Sequence, residues 1–279
     1  MKKITVITIF ILTAMYGKAQ TVLGTAYMKC YYEYKSIRDT ANFTWDTCNP
    51  KYLGSVDHMR LLIGKNVSKF YSYDTFLSDS ISNAYLSGKM SQNEYYKLRT
   101  VYRRGETFKI YTNYPKGRLT FTDLLVMTYF LYEEGIPKQE WKISGDTSTI
   151  SGYKCQKATC VYRGRQYVAW FTDAIQINNG PFKFWGLPGL IVEVRDSKYH
   201  HLFRLAGIEK TNEPIIFDKK DYINTNRKDY TGVFRKYRYN NAEFMMSMYG
   251  GESVFAYDKN GNKVELPVWN TDIIEKDIK

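Results

Sequence analysis

Two arginines on one predicted hairpin turn are the strongest candidates for a charged binding site. Arg163 and Arg165 flank Gly164, between the strand-like runs 154–162 and 166–172. A guanidinium group forms paired hydrogen bonds with a carboxylate or a phosphate, so both side chains are candidates for binding an anion. The alternative interpretation is that they are solvated charges on a surface turn.

Three aromatic residues near this turn are candidates for lining a ligand pocket. They are Trp170 on the second of those runs, and Phe184 and Trp185 in the segment that follows it. Large aromatic side chains contribute extensive apolar surface, which suits an apolar or a sugar ligand. The alternative is that they form structural core between the turns around 180 and 188.

The sequence contains none of the common catalytic motifs. Its three histidines are His58, His200 and His201, and the last two are adjacent on a predicted strand, so their side chains point to opposite faces. We find no HExxH, no GxSxG and no phosphate-binding loop. The sequence therefore predicts no enzyme, no catalytic residue, no metal site and no cofactor. A hydrolase assembled from distant positions is the less favoured alternative.

Four cysteines allow disulfide bonds if the chain is exported. Cys155 and Cys160 lie five positions apart on a predicted strand. That places them ~16 Å apart at ~3.3 Å per residue, whereas a disulfide needs Cα atoms within about 7 Å. We therefore favour a Cys30–Cys48 disulfide, which closes a loop of polar and turn residues.

A six-residue motif follows the aromatic segment. Its residues are Gly186, Leu187, Pro188, Gly189, Leu190 and Ile191. The proline-glycine pair suits the central positions of a type II turn, and the alternation through residue 195 predicts a half-buried strand with Glu193 in an outward salt bridge. The motif offers no acid, base or nucleophile, so its predicted role is structural.

These six residues resemble the signature of the GLPGLI family, which comprises exported proteins of Gram-negative envelopes with no established activity. The flanking residues 152–153, 157–158, 163–165, 169–170 and 180–181 also fit the family pattern. The resemblance is strongest over residues 140–205, and Ile175-Gln176 stands where the family usually has Ile-Pro. A more distant similarity of architecture is to lipoprotein carriers, whose open half-barrels hold acyl chains under helical lids. This resemblance implies a fold rather than a function.

Short strand-like runs separated by turn residues predict an antiparallel sheet. Hairpins are predicted at 58–73, 154–172 and 190–205, with helices in 78–103 and 219–248 and a last hairpin at 253–266. Ser91, with Glu94 three residues later, predicts a helix N-cap. The predicted fold is mainly β: an antiparallel open sheet or half-barrel with a helical insertion and a helical C-terminal appendage.

The N-terminal segment predicts the compartment. Lys2 and Lys3 precede an apolar stretch over 4–16, and small residues follow at Gly17 and Ala19. This pattern is typical of a secretory signal peptide, predicted here as residues 1–19. The mature chain then comprises a β domain, 20–215, and an appendage, 216–279. We expect it in the periplasm, secreted or at the cell surface, with no later membrane span.

The charge predicts the kind of partner. The chain carries a formal charge of +12, and loss of the three lysines in residues 1–19 lowers it to +9. Export argues against nucleic acid, so anionic headgroups or polysaccharide are the expected contacts for basic stretches such as 227–238; a solvated surface is the alternative. Our leading hypothesis is a non-enzymatic envelope protein that binds an apolar or amphipathic, lipid-like ligand on its sheet. The alternative is a structural or protein-interaction module of the envelope.

Overall fold

A computed structural model of the chain describes residues 20–37, 40, 55–240, 244–246, 256–257, 263–264 and 272–277. The predicted signal peptide 1–19 and Cys48 lie outside the described residues, so export and the Cys30–Cys48 disulfide stay predictions. Cys30 itself is fully buried. Cys155 and Cys160 are both free thiols, as their spacing predicted.

The protein is mainly β, and its strands form one large open sheet and one short hairpin. The strands are β1 Thr21–Ser36, β2 Ser55–Gly64, β3 Ser68–Ser72, β4 Lys109–Thr112, β5 Arg118–Leu125, β6 Thr128–Gly135, β7 Lys142–Ile150, β8 Tyr153–Tyr162, β9 Arg165–Thr172, β10 Leu190–Asp196, β11 His201–Lys210, β12 Pro214–Phe217, β13 Tyr222–Thr225, β14 Ala256–Tyr257 and β15 Lys263–Val264. The 13-stranded sheet has the order β13-β6-β5-β4-β3-β2-β1-β11-β10-β9-β8-β7, and β12 pairs with β1. The three predicted hairpins of the sheet are confirmed as β2–β3, β8–β9 and β10–β11.

The described residues also form three helices that are longer than one turn. They are α1 Tyr73–Leu86, α2 Gln92–Val101 and α3 Arg227–Tyr239. The predicted cap of α2 is confirmed, because the Ser91 side chain accepts a hydrogen bond from the Glu94 amide. The prediction of a helix from residue 219 was wrong at its start, because 222–225 form β13, which pairs with β6 in parallel. The sheet is therefore mixed rather than purely antiparallel.

The main core lies on one face of the sheet and is covered by the chain itself. Strand residues such as Tyr32, Phe70 and Phe203 pack with Phe182 and Phe184 of the motif segment and with Tyr230 of α3. On β2, Leu61 belongs to this core, whereas the next residue, Leu62, packs on the opposite face beneath Ile215.

The motif turn and the strand after it differ from the prediction. The Gly189 amide donates to the Leu187 carbonyl, which closes a three-residue turn around Pro188 instead of a type II turn. The Leu190 amide donates to the Ile175 carbonyl and is unavailable for the type II bond. The strand β10 is central and buried on both faces, so the half-buried prediction was wrong. Glu193 is 4% exposed and pairs with Arg204 on the adjacent strand.

Candidate functional site

A small chamber lies between the sheet, α3 and the segment 272–277, which we call the strap. Its cavity volume is about 60 Å³. Seven aromatic residues line it: Tyr34, Phe108, Phe121, Tyr132, Phe182, Tyr230 and Phe234. The polar lining consists of Glu106, His201, Thr231 and Arg238, and the strap closes the chamber with Asp272, Ile273, Ile274 and Glu275. Aromatic walls with few polar groups are typical of a small-molecule site.

His201 supplies a buried hydrogen-bond donor in the chamber wall. Its Nδ1 lies 2.8 Å from the Tyr34 hydroxyl, and its Nε2 is buried without a hydrogen-bond partner in the described part of the chain. Burial, reinforced by the nearby Arg165, lowers the pKa of His201 to about 3, so the ring is neutral. Burial also raises the pKa of Tyr34, and its hydroxyl therefore keeps its hydrogen. We assign the Tyr34 hydroxyl as donor to Nδ1, which leaves the N–H on Nε2.

Lys183 lies at the centre of a buried ion-pair network beside the chamber. Its fully buried ammonium contacts the Tyr132 hydroxyl at 2.9 Å, Glu134 at 2.8 Å and Glu275 of the strap at 2.9 Å. Burial alone would lower the pKa of Lys183, but the two carboxylates hold it above its ordinary value. Arg163 extends the network through Glu134 at 2.7 Å.

The N-terminal residue of α3, Arg227, belongs to the same network. Arg227 contacts Asp277 of the strap at 2.8 Å, Glu275 at 3.5 Å and Glu134 at 3.6 Å. Arg163 also reaches Asp277, at 3.3 Å. The strap is thus held by cations from the β8–β9 turn, the motif segment and α3.

Arg165 forms a second buried network at the start of the strap. One of its terminal nitrogens lies 2.8 Å from Asp196 and 2.9 Å from Asp272, and the other contacts Asp272 at 2.8 Å and the Ile273 carbonyl. Burial would raise the pKa of Asp272, but the hydrogen bond from Arg165 holds it below its usual range. His200 and Lys276 also pair with Asp272.

A second, larger cleft adjoins the chamber and is basic. Its volume is about 510 Å³, and Arg235, Lys236, Arg238 and Lys276 line it together with Tyr239. Asp272 and Ile273 are shared with the chamber, as is Arg238. An apolar chamber and a cationic cleft therefore lie side by side and share three lining residues.

The structure does not bring the five predicted ligand-binding residues together in one pocket. Arg163 and Arg165 are brought together on the strap, rather than solvated on a surface turn. Phe184 lies in the core, with its ring 4.6 Å from that of Tyr167. Trp185 donates to the Pro137 carbonyl, and Trp170 is half-buried on β9. None of these five residues belongs to the described lining of the chamber, so their role in ligand binding stays a prediction.

Sequence reasoning did not identify Lys183, His201 or Glu275. One signal was available for Lys183, because a lysine between Phe182 and Phe184 is unusual in a segment predicted to be buried. No comparable signal marks Glu275, whose partners lie far away along the chain. Among the described residues, no group of three or more His, Cys, Asp or Glu is arranged to hold a metal ion. Within the same residues, no helix is long and apolar enough to cross a membrane.

Comparison with known proteins identifies the motif region. Residues 162–193, which include Arg163, Lys183 and the six-residue motif, match a family described as a protein of unknown function (Porph_ging). The match covers a small part of the chain, so it is a local similarity. No curated protein sequence matches the chain.

Solved structures with a weakly similar fold include two of one protein. They are structures of PNGF-II in the P21 and C2 space groups, at 13% and 12% sequence identity and a TM-score of 0.46 each. The similarity covers 74% and 80% of this chain but 32% and 34% of those chains. This chain therefore spans about a third of their length. At this level the similarity carries no argument about function.

Proposed function

We propose that the protein is an exported, non-enzymatic envelope protein that binds an amphipathic anion, a ligand with an apolar chain and a negatively charged head. The observation that carries this proposal is that the aromatic chamber and the basic cleft are neighbours and share the lining residue Arg238. An amphipathic anion matches both parts at once.

The chamber suits the apolar part of such a ligand. The Phe108 ring centroid lies 5.8 Å from that of Phe121 and 5.6 Å from that of Phe182, and Phe234 of α3 belongs to the same lining. Each buried CH₂ group of a ligand contributes about 0.8 kcal/mol. The His201 Nε2 offers a hydrogen bond to any oxygen that reaches it.

The cleft suits the charged head. Arg235, Lys236 and Lys276 lie on its rim with Arg238, and Asp272 is the single acidic residue of its lining in the part of the chain that the structure describes. The carboxylate of Asp272 is already engaged by Arg165 and Lys276. A carboxylate or phosphate head therefore meets an excess of positive charge.

The chamber must widen before it can hold the alkyl chain of a ligand. Its volume of about 60 Å³ is far below the roughly 300 Å³ or more of an ordinary ligand pocket. The sheet is one continuous ladder, whereas the strap and α3 are attached to it mainly through side chains. We therefore expect the ligand to enter the chamber when the strap or α3 moves outward.

The electrostatics of the wall favour binding over acid–base catalysis. Glu106 lies 3.7 Å from Arg238, Glu275 pairs with Lys183, and Asp272 pairs with Arg165. His201, with a pKa of about 3, is far from the value near the working pH that a general base needs. These groups are suited to holding a structure and a ligand in place.

Calorimetric titration of the purified protein with decanoate and decanol tests the proposal. We expect one decanoate to bind, about tenfold more tightly than decanol, because the alcohol lacks the charge that the cleft attracts. Thr231→Leu fills the chamber and should weaken decanoate binding about tenfold. The matched control is Thr100→Leu, since both threonines donate to a helix carbonyl but Thr100 is exposed. Absence of binding, or an equal effect of both variants, contradicts the proposal.

A further inference from the structure

The strap lies in a groove formed by Arg163, Arg165, Lys183 and Arg227, and part of this groove carries an excess of positive charge before the strap is counted. Near Lys183 the described residues outside the strap supply three cations, Lys183, Arg163 and Arg227, and one carboxylate, Glu134. Glu275 and Asp277 of the strap provide the remaining negative charge. A buried cation without a partner is strongly destabilising, so this groove requires anionic groups from outside the sheet and α3.

At the other end of the groove the strap supplies a second carboxylate to an arginine that already has one partner. Arg165 has one carboxylate partner on the sheet, Asp196, and one on the strap, Asp272. The strap carboxylates at 272, 275 and 277 therefore meet two separate cationic positions. Ile273 and Ile274 lie between Asp272 and Glu275 in the strap, and both residues line the aromatic chamber.

The strap is bound in the way that an extended peptide is bound. The Tyr167 hydroxyl donates to the Ile274 carbonyl at 2.6 Å, and Arg165 donates to the Ile273 carbonyl. The Lys276 amide donates to the Arg163 carbonyl at 2.7 Å. A Cβ at Gly164 would lie 3.1 Å from the Asp277 nitrogen, so the glycine in the β8–β9 turn permits this close approach of the two backbones.

We propose that this groove is a recognition site for an acidic peptide segment of a partner protein, and that the strap is its intramolecular occupant. The recognised pattern is a carboxylate, two branched apolar residues, a second carboxylate and, two positions later, a third. This inference goes beyond the proposed function, because its ligand is a polypeptide and its evidence is the ion pairs rather than the chamber. The strap competes with the partner as a tethered ligand at high effective concentration.

A labelled peptide in trans tests the proposal on the full chain. The peptide has the sequence of residues 270–279, and its control replaces the three acidic residues by Asn, Gln and Asn. The protein variant is Asp272→Asn/Glu275→Gln/Asp277→Asn, which keeps the shape of the strap and removes its charge. We expect the acidic peptide to bind the variant about tenfold more tightly than it binds the wild type, and about tenfold more tightly than the neutral peptide.

Two further measurements test the same site, one of them on the wild-type protein. In the wild-type protein, excess acidic peptide should accelerate hydrogen exchange of the Lys276 amide, whereas the neutral peptide should not; this reading does not depend on the variant folding. Adding Lys183→Met to the neutral-strap variant should weaken peptide binding about tenfold. Equal binding of both peptides, or unchanged exchange at Lys276, overturns the proposal. Full displacement of the peptide by millimolar inorganic phosphate or by phosphatidylglycerol vesicles overturns it in favour of an anion or lipid site.

Discussion

The Lys183 ammonium lies 2.9 Å from a carboxylate oxygen of Glu275, although the two residues are 92 positions apart in the chain. One belongs to the segment that precedes the six-residue motif, and the other to the strap. Their contact is fully buried on the lysine side. It joins the motif region, which the sequence marks clearly, to a segment that the sequence leaves unmarked.

Replacing Lys183 should destabilise the protein more than any surface lysine does. Lys183→Met leaves Glu134 and Glu275 buried beside the cavity without their ammonium partner, and we expect a loss of about 3 to 5 kcal/mol in the free energy of unfolding. Urea denaturation measures it. Lys154→Met, on the exposed side of β8, should change stability by less than about 0.5 kcal/mol.

Adding Glu275→Gln to Lys183→Met removes one of the two carboxylates that lost the ammonium partner. The double variant should therefore be more stable than the sum of the two single changes implies, with a coupling of about 1 to 3 kcal/mol. Strict additivity would show that the two residues do not interact in solution.

Arg165→Lys tests whether the planar guanidinium is needed to hold the strap. Arg165 contacts Asp272 through both terminal nitrogens, and one of these nitrogens also contacts Asp196; a single ammonium group cannot reproduce this planar paired contact. We expect a loss of about 2 to 3 kcal/mol and faster hydrogen exchange in the strap. Arg118→Lys is the control, because its pair with Glu133 is exposed and should contribute less than about 1 kcal/mol. Equal effects at the two sites would mean that the strap does not depend on Arg165.

Gly189→Ala tests the structural role of the motif turn. A Cβ at this position would lie 2.1 Å from the Thr172 carbonyl oxygen, so β9 and the turn must separate. We expect a loss of about 2 to 4 kcal/mol, measured by thermal or urea unfolding. Gly135→Ala meets open space and should be neutral or slightly stabilising, by up to about 1 kcal/mol. A stable Gly189→Ala protein would show that the turn tolerates a side chain.

Asp57 should make stability fall as the pH rises. It is 3% exposed and accepts hydrogen bonds from Ser72 and the Glu106 amide, and burial, reinforced by Glu106 and Asp74, raises its pKa from 3.8 to about 7. The folded state then binds a proton that the unfolded state releases. Protonation of Asp57 therefore stabilises the folded state fully below the pKa that Asp57 has in the unfolded chain. This contribution to the free energy of unfolding, up to about 4 kcal/mol, is lost as the pH rises through about 7.

The difference in stability between wild type and Asp57→Asn, measured from pH 4 to 8, isolates this contribution. His201 acts in the opposite direction, because its pKa is lowered, but it is present in both proteins and cancels. Asp79→Asn, at an exposed ion pair with Arg104, should leave the pH profile unchanged. A pH-independent difference for Asp57→Asn would place the pKa of Asp57 near its ordinary value.

Local signals predicted much of the fold. The Gly64–Asn66 turn, the 163–165 turn and the Ser91 cap each act within a few residues, and each occurs where the sequence places it. The strand β13 escaped prediction because its four residues lie in a polar, basic stretch and gain their partner, β6, from more than 90 positions away.

The candidate site was predictable only in part. Arg163 and Arg165 were identified from their chemistry, but their partners Asp272 and Asp277 belong to a segment with no local pattern that ties it to the sheet. The central position of β10 likewise depends on which segments cover its two faces. Such long-range pairings depend on the whole chain, and no local motif encodes them.

The position of a bound amphipathic anion decides whether the proposed binding site is correct. Intermolecular nuclear Overhauser effects between decanoate and the protein report which side chains touch its alkyl chain. We predict contacts with the rings of Phe108, Phe121 and Phe234, together with movement of the strap. Contacts confined to the exposed apolar residues of α1 and α2, such as Leu86 and Val101, would contradict a binding site under α3.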